Sequence, residues 1–203
     1  MKSSNRILPR EFLKLLADLE DSYLKETDPQ RQSGSGGGAK RWRGKRGVIL
    51  QAIDSDGDFL DIGCANGYLL ECLCMWAREK NVILNPFGVD LGKRLIQLAR
   101  SRFPNQKNHF WTTNAWDWAP PKKFRYVYSL CDCVPYDFLE EYIWRLKQRY
   151  VEKDGTLILG SYGSSKNIPA LDVAKILTDW GFTVLGSVES DEPPVSRMGW
   201  IKG

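Results

Sequence analysis

Hydrophobic residues in this chain follow two periods that alternate along its length. Short apolar runs suited to buried strands are followed by stretches in which apolar residues recur every three or four positions, as on one face of a helix. The strand-like runs are 59–61, 86–90, 124–130 and 154–160, and the helical stretches are 68–77, 91–103, 138–146 and 173–180. Strands that alternate with helices in this way predict a parallel sheet with helices packed against it.

The two ends of the chain differ from this pattern. Phe12, Leu15, Leu16, Leu19 and Tyr23 share one helical face, so the sequence predicts an N-terminal helix over residues 10–25 that docks on the main body. A mobile loop or hinge is expected next, because the segment 26–39 contains Asp-Pro and Ser-Gly-Ser-Gly-Gly-Gly. The last segments, 182–188 and 196–201, read as two strands joined by an Asp-Glu-Pro-Pro loop. We therefore divide the chain into residues 1–46 and a main domain, 47–203.

Composition favours one globular domain. The chain has 203 residues, of which 42% are hydrophobic, so it has enough material for a substantial core. No apolar run approaches the ~20 residues that cross a bilayer, and the N-terminus Met-Lys-Ser-Ser-Asn-Arg leads into a charged helix, so we expect a cytoplasmic protein without a membrane partner. Five cysteines without a Cys-x-x-Cys spacing favour reduced thiols and no metal site.

The stretch Phe-Leu-Asp-Ile-Gly-Cys-Ala-Asn-Gly at 59–67 carries the most information. It joins a buried strand to a helix through a turn in which Gly63 and Gly67 allow close approach of a ligand to the backbone. Ala65 stands where a dinucleotide-binding fingerprint has its second glycine, and no Gly-Lys-Ser or Gly-Lys-Thr triplet occurs in the chain. The turn therefore predicts a nucleotide-type site that does not cradle phosphates.

Two acids at strand ends indicate what this site binds. Asp61 precedes the turn, where a carboxylate suits an ammonium group and repels a phosphate. Asp90 ends the next strand, where a carboxylate accepts hydrogen bonds from both ribose hydroxyls. A nucleoside that bears an amino acid and no phosphate satisfies both acids. The alternative is that each Asp caps the helix that follows it.

Residues 59–67 resemble motif I of the class I S-adenosylmethionine-dependent methyltransferases, and Asp90 resembles the ribose-binding acid of that family. The resemblance extends over residues 58–203, because 108–116 is similar to the adenine-contacting segment and the end of 124–130 to the strand beside the methyl-transfer site. It implies a doubly wound, Rossmann-like α/β fold: a seven-stranded, mostly parallel sheet with an antiparallel last strand and helices on both faces. The cofactor would be S-adenosyl-L-methionine, held by Asp61, Gly63, Cys64, Ala65, Asn66, Gly67, Asp90, Leu91, Asn114, Ala115, Trp116 and Leu130.

A narrower resemblance concerns the turn and the segment before it. The run Cys-Ala-Asn-Gly-Tyr at 64–68, preceded by Arg41, Trp42 and Arg46, is similar to a bacterial group of small methyltransferase-fold proteins. This chain has Lys40 where members of that group carry Glu. The group implies the fold and the cofactor but no particular methyl acceptor.

Basic residues are concentrated just before the catalytic domain. Six lie between Arg31 and Arg46 with no acid among them, and without them the net charge changes from +4 to −2. The Lys-Arg-Trp-Arg-Gly-Lys-Arg run at 40–46 would contact RNA phosphates and stack on a base, or would cap the cofactor. In the second case Trp42 covers the ligand and arginines neutralise its carboxylate or an acidic substrate. A solvated helix start is the third alternative.

Methyl transfer from a sulfonium needs positioning and exclusion of water more than a nucleophilic side chain. Asp132 and Tyr136 follow the fourth strand and are the candidates for a base that deprotonates a hydroxyl or amine acceptor, although Asp132 would also suit a plain turn. Cys131 and Cys133 lie in the same region and lack the preceding proline of enzymes that methylate carbon five of pyrimidines, which favours packing.

The function that we predict is methyl transfer to a small-molecule acceptor, because a chain of this length has room for a catalytic domain and a short cap only. An RNA methyltransferase that uses 40–46 as its footprint, and a non-catalytic binder of the cofactor, are the alternatives. The Asp/Asn-Pro-Pro-Tyr signature of base or glutamine amino methylation is missing, so DNA is not expected as a substrate. The sequence leaves the acceptor atom and the oligomeric state open.

Overall fold

The structure, a computed structural model, describes residues 6–163, 168–191 and 193–203. The first five residues of the predicted segment 1–46 and Glu192 of the predicted Asp-Glu-Pro-Pro loop lie outside these ranges. The α-helices are α1 (Arg10–Tyr23), α2 (Gly38–Arg46), α3 (Tyr68–Arg78), α4 (Lys93–Arg102), α5 (Tyr136–Arg149) and α6 (Val173–Asp179). The strands are β1 (Gly57–Ile62), β2 (Leu84–Asp90), β3 (Phe110–Thr112), β4 (Phe124–Leu130), β5 (Val151–Tyr162), β6 (Val184–Glu189) and β7 (Ser196–Lys202).

The seven strands form one sheet in the order β3-β2-β1-β4-β5-β7-β6. Strand β7 pairs antiparallel with β5 and with β6, and the other pairs are parallel. The predicted doubly wound sheet with an antiparallel last strand is therefore confirmed. The strand order reverses between β1 and β4, and in open α/β sheets ligands bind beyond the carboxyl ends of the strands at such a point.

Both faces of the sheet are covered by helices. Adjacent residues of β1 show this, because Phe59 packs with α3 and α4 on one face and Leu60 packs with α5 and α6 on the other, and both side chains are fully buried. Alternation along the strand places Asp61 on the same face as Phe59. The continuous apolar runs of the sequence are explained by this burial on two sides.

Outside the sheet, the predicted N-terminal helix is confirmed as α1, which ends at Tyr23. The predicted loop at 26–39 contains a short 3₁₀ helix, Arg31–Ser33, and gives way to α2 at Gly38. Strand β5 begins at Val151, before the expected 154–160 segment, because its first residue pairs with Phe124 of β4. Within the described ranges, no helix is long and apolar enough to cross a membrane.

Candidate active site

A cavity of about 350 Å³ opens at the carboxyl ends of β1, β2 and β4. Its floor is the turn after β1 and its roof is one face of α1. The lining residues are Phe12, Leu15, Leu16, Leu19, Glu20, Tyr23, Ser33, Ile62, Gly63, Ala65, Val89, Asp90, Leu91, Leu95, Thr113, Asn114, Ala115, Leu130, Asp132, Cys133 and Val134. The volume lies at the small end of the range that holds drug-sized ligands.

The turn after β1 is held against β2. The backbone N–H groups of Gly63 and Cys64 both donate to the carbonyl of Val89, at 2.8 and 3.1 Å. Gly63 has φ +81°, and a β-carbon there would approach Cys133 Sγ to 3.3 Å. Ala65 adopts φ +46°, which L-residues adopt rarely. The turn therefore presents backbone, with little side chain, to the floor of the cavity.

Asp90 ends β2 and its carboxylate is fixed by the backbone. Ala65 N–H donates to Oδ2 at 2.9 Å, and Gly92 N–H donates to Oδ1 at 2.7 Å. Burial raises the pKa of Asp90, and the two hydrogen bonds act in the opposite direction. Each carboxylate oxygen keeps a second lone pair for a ligand in the cavity.

A second, smaller pocket of about 50 Å³ adjoins the first beneath the turn. Arg46 and Asp61 face it, and both side chains are buried. Arg46 Nη1 and Asp61 Oδ2 have no hydrogen-bond partner among the described residues. Buried polar groups are ordinarily paired, so this pocket offers one cationic and one acidic group to a ligand.

Electrostatics in this small pocket favour a ligand that carries both charges. Burial and the nearby Asp90 raise the pKa of Asp61 to about 8, whereas Arg46 lowers it. The guanidinium of Arg46 stacks on the ring of Tyr162, 3.4 Å from its centroid, and the Tyr162 hydroxyl is hydrogen-bonded to that of Tyr128. Arg46 is thereby oriented without being neutralised.

Trp42 forms part of the wall of the small pocket. It is 2% exposed, its Nε1 donates to Cys72 Sγ at 3.3 Å, and its ring lies 5.3 Å from that of Tyr68. The alternative in which Trp42 covers the ligand stays a prediction, but its position is corrected: Trp42 reaches the pocket from the core, where it packs from α2 against α3.

The C-terminal part of the basic run 40–46 turns inward. Lys45 and Arg46 are each 7% exposed, and Arg43 pairs with Glu79. Burial, together with the nearby Arg46 and Arg41, lowers the pKa of Lys45 to about 8. The alternative of a solvated helix start therefore does not hold for Lys45 and Arg46, whereas Lys40 and Arg43 are exposed.

Most residues expected at the cofactor line one of the two cavities, but three of them do not, and neither does the candidate base Tyr136. Asn66 is buried and donates to the Pro29 carbonyl at 2.9 Å. A β-carbon at Gly67 would approach Ala99, so this glycine serves helix packing. The structure also places Trp116 and Tyr136 outside both cavities.

The physical reasons for these last two positions differ. Trp116 is 1% exposed and its Nε1 donates to the Arg6 carbonyl at 2.8 Å, so it anchors the segment before α1. Tyr136 is the first residue of α5, is 59% exposed, and lies beside Trp180 with 6.1 Å between ring centroids. Its side chain is directed along the outer surface.

Asp132 does line the large cavity, together with Leu130 and Cys133. Its side chain is reached by solvent, yet desolvation within the cleft raises its pKa, with Arg46 acting in the opposite direction. Burial raises the pKa of Cys131 to about 12, which keeps that thiol protonated and supports the packing interpretation. Asn114 lines the cavity and accepts from the Trp116 backbone N–H at 2.9 Å.

Comparison with known proteins supports the fold. No protein-family model matches this chain, and no curated protein matches it in sequence. Among solved structures, it is similar to the N-methyltransferase NodS from Bradyrhizobium japonicum in complex with S-adenosyl-L-homocysteine, at a TM-score of 0.68 and 14% identity over 93% of this chain and 97% of that one. The chain has the class I methyltransferase fold.

Two further solved structures share this methyltransferase fold. Magnesium protoporphyrin IX methyltransferase from Synechocystis with bound S-adenosylmethionine has a TM-score of 0.64 and 17% identity over 98% of this chain and 100% of that one. The 1,6-didemethyltoxoflavin-N1-methyltransferase of Burkholderia thailandensis, with its substrate and S-adenosylhomocysteine bound, has a TM-score of 0.67 and 13% identity over 99% of this chain and 93% of that one.

Sequence reasoning missed several residues that line the two cavities. From α1 come Phe12, Leu15, Leu16, Leu19, Glu20 and Tyr23; the small pocket adds Arg46, Tyr128 and Tyr162. The amphipathic pattern predicted helix α1 but did not indicate which part of the methyltransferase fold this helix covers. Arg46 belongs to a basic run whose pattern does not indicate which arginine turns inward.

Proposed function

We propose that this protein is an S-adenosylmethionine-dependent methyltransferase that acts on a small-molecule acceptor. One observation supports this most strongly. A mainly apolar cavity beside Asp90 continues into a buried pocket where Arg46 and Asp61 each have an unpaired polar atom. A nucleoside joined to a zwitterionic amino acid fits both compartments at once.

The residues present fit each part of the cofactor. In our proposal, the ribose hydroxyls donate to the carboxylate of Asp90, which the backbone of the two flanking loops already orients. The carboxylate of the methionine moiety pairs with Arg46, and its ammonium group pairs with Asp61. The adenine lies among apolar side chains that include Leu91, Leu95 and Ala115.

Asp132 is the residue that we propose as base. When bound, the cofactor supplies an activated methyl group for in-line displacement. Asp132 lies beyond β4 with its carboxylate in the cavity, and its raised pKa lets it accept a proton from an acceptor hydroxyl or amine. Solvent access then lets the proton leave to water. Tyr136 is less suited to this role, because its side chain lies on the outer surface.

The position of the basic run favours a small molecule over RNA. An RNA footprint requires cationic groups on an accessible face. Here Lys45 and Arg46 are buried and Arg43 is paired with Glu79, so the run, all of it described, presents only Lys40 and the half-buried Arg41 to solvent as unpaired candidates for phosphate contact. We propose that residues 1–46 complete the active site of the catalytic domain 47–203, since α1 roofs the large cavity and α2 supplies Arg46 to the small one.

Transfer of a labelled methyl group tests this function. The protein is incubated with S-adenosylmethionine labelled on the methyl carbon and a cell extract, which is then separated into small-molecule and RNA fractions. We expect label in the small-molecule fraction, and its loss with Asp90→Ala. Label in the RNA fraction would support the RNA alternative. Binding of the cofactor with no label in either fraction would support a non-catalytic binder.

A further inference from the structure

Helix α1 carries an apolar face that is only partly packed against the core, through Phe12. None of its fourteen described residues is fully buried. Leu15 is 57% exposed and Leu19 is 39% exposed, and both line the large cavity together with Phe12 and Leu16. An amphipathic helix ordinarily buries this face in the core. Here the face covers an open volume.

Polar contacts at the two ends keep α1 in this position. At its C-terminal end, Glu20 accepts from the backbone N–H of Arg94 at 2.8 Å and also pairs with the Arg94 side chain. Before its N-terminal end, Arg6 pairs with Asp137 at 2.8 Å, and the Arg6 carbonyl accepts from Trp116 Nε1. The helix therefore spans the cavity from two attachment points, which leaves its apolar face available to a ligand.

The charges around the cavity select against anions. Its lining includes the acids Asp90 and Asp132 and also Glu20, whose charge Arg94 offsets, and no Lys or Arg is among the described residues that line it. Arg46 faces the adjoining small pocket, where the amino acid end of the cofactor would neutralise it. A carboxylate or phosphate brought into the large cavity would meet like charge in a partly desolvated space.

We infer that the apolar face of α1 is the acceptor-binding surface, and that it accepts an apolar compound that is uncharged or carries an amine, and rejects carboxylated and phosphorylated compounds. This inference rests on the proposed function, because it assigns the rest of the large cavity to the cofactor. The acceptor would share the large cavity with the cofactor and lie directly against the roof.

Three compounds that share an indole ring test this charge selection: tryptamine, 3-methylindole and indole-3-propionate. Affinity for the protein saturated with S-adenosylhomocysteine is measured by calorimetry. We expect saturable binding of tryptamine and 3-methylindole. The affinity for indole-3-propionate should be lower by at least about tenfold. Equal affinity for the anionic compound, or no binding of any of the three, would overturn the inference.

A pair of matched variants tests the surface. Leu16→Ser removes an apolar side chain from the roof and should weaken binding of tryptamine and 3-methylindole about fivefold, a larger loss than its effect on the affinity for S-adenosylhomocysteine. Leu98→Ser makes the same change at a partly exposed position of α4 outside both cavities, and should change neither affinity. Unaltered indole binding in Leu16→Ser would overturn this inference alone. An absence of S-adenosylhomocysteine binding in the parent protein would overturn the proposed function and this inference with it.

Discussion

The backbone N–H of Ala65 donates to Asp90 Oδ2 at 2.9 Å, so the turn after β1 and the end of β2 hold each other in place. Ala65 adopts a positive φ, at +46°, and in that conformation its N–H points towards β2. The carboxylate of Asp90 is therefore oriented before any ligand arrives. Such preorganisation increases affinity, because less ordering remains to be done on binding.

Asp90→Ala should weaken binding of S-adenosylhomocysteine at least tenfold. Two charge-assisted hydrogen bonds to the ribose, worth ~1.5–3 kcal/mol each, would be lost. The control is Asp58→Asn, because Asp58 lies near the opposite end of β1, where it pairs with Lys122. Calorimetry is the measurement. Equal affinities in the Asp90 variant and the parent would show that the ribose is not held there.

Asp61→Asn should stabilise the ligand-free protein, and more at pH 8 than at pH 5. The folded carboxyl keeps its proton up to a pKa of about 8, whereas the unfolded one ionises near 3.8. The stability contributed by this raised pKa is fully present only at low pH and is lost as the pH rises towards 8. The difference between variant and parent should therefore grow by about 1–4 kcal/mol over this window. Denaturant unfolding at both pH values measures it, and a constant difference would contradict the burial of an unpaired Asp61.

Cofactor affinity should depend on pH through the same carboxyl. Asp61 must be ionised to pair with the ammonium group. At pH 6 nearly every Asp61 carboxyl must therefore lose a proton when the ligand binds, whereas at pH 8 a smaller fraction must do so. Affinity for S-adenosylhomocysteine should rise by up to about tenfold per pH unit between pH 6 and 8. In Asp61→Asn the affinity should be lower and nearly independent of pH. An equally steep profile in the variant would assign the titration to another group.

Trp42→Ala should destabilise the protein by about 3–5 kcal/mol, because the side chain is 2% exposed and packs in the core. In a chain of this length that corresponds to a fall in Tm of about 10 °C. Trp42→Phe keeps most of the packing and loses the hydrogen bond to Cys72, so its fall should be much smaller. A fully stable Trp42→Ala variant, measured by thermal unfolding, would restore the interpretation of this residue as a surface cover.

Glu20→Ala should loosen α1. The Glu20 carboxylate accepts a hydrogen bond from the backbone N–H of Arg94, in the first turn of α4, and so caps the N-terminus of α4 from α1. Such a cap is worth about 1 kcal/mol. Limited proteolysis should cut residues 10–23 faster in this variant than in the parent. Asp18→Ala is the matched control, because Asp18 is exposed and pairs only within α1, with Lys14. Equal cleavage of both variants would mean that Glu20 does not hold the helix.

Local patterns predicted the sheet and the turn because their signals are short in sequence. The predicted run 124–130 has the same first and last residues as β4. The spacing from Asp61 to Asp90 corresponds to the end of one strand, one helix and the next strand. The position of α1 depends instead on contacts such as Glu20 with Arg94, 74 residues apart, which no local pattern encodes. Tyr136 was misplaced because its direction depends on where α5 begins.

The small pocket was the least predictable part of the site. Asp61 was expected to face an ammonium group, and its partner across the pocket came from a basic run that also suited RNA. The packing of Trp42, on α2, against α3 sets the rotation of α2, with Arg46 turned inward and Lys40 outward. Tyr162, which stacks on Arg46, follows the apolar part of β5 and had no signal of its own.

The central claim is that one ligand occupies both compartments, with its nucleoside beside Asp90 and its amino acid between Arg46 and Asp61. Calorimetric titration with S-adenosylhomocysteine and with adenosine tests it most directly, because adenosine lacks only the amino acid part and its sulfur link. We predict a micromolar dissociation constant for S-adenosylhomocysteine and binding of adenosine at least about tenfold weaker, since the buried ion pairs would be lost. No saturable binding of S-adenosylhomocysteine, or equal affinity for the two compounds, would contradict the account.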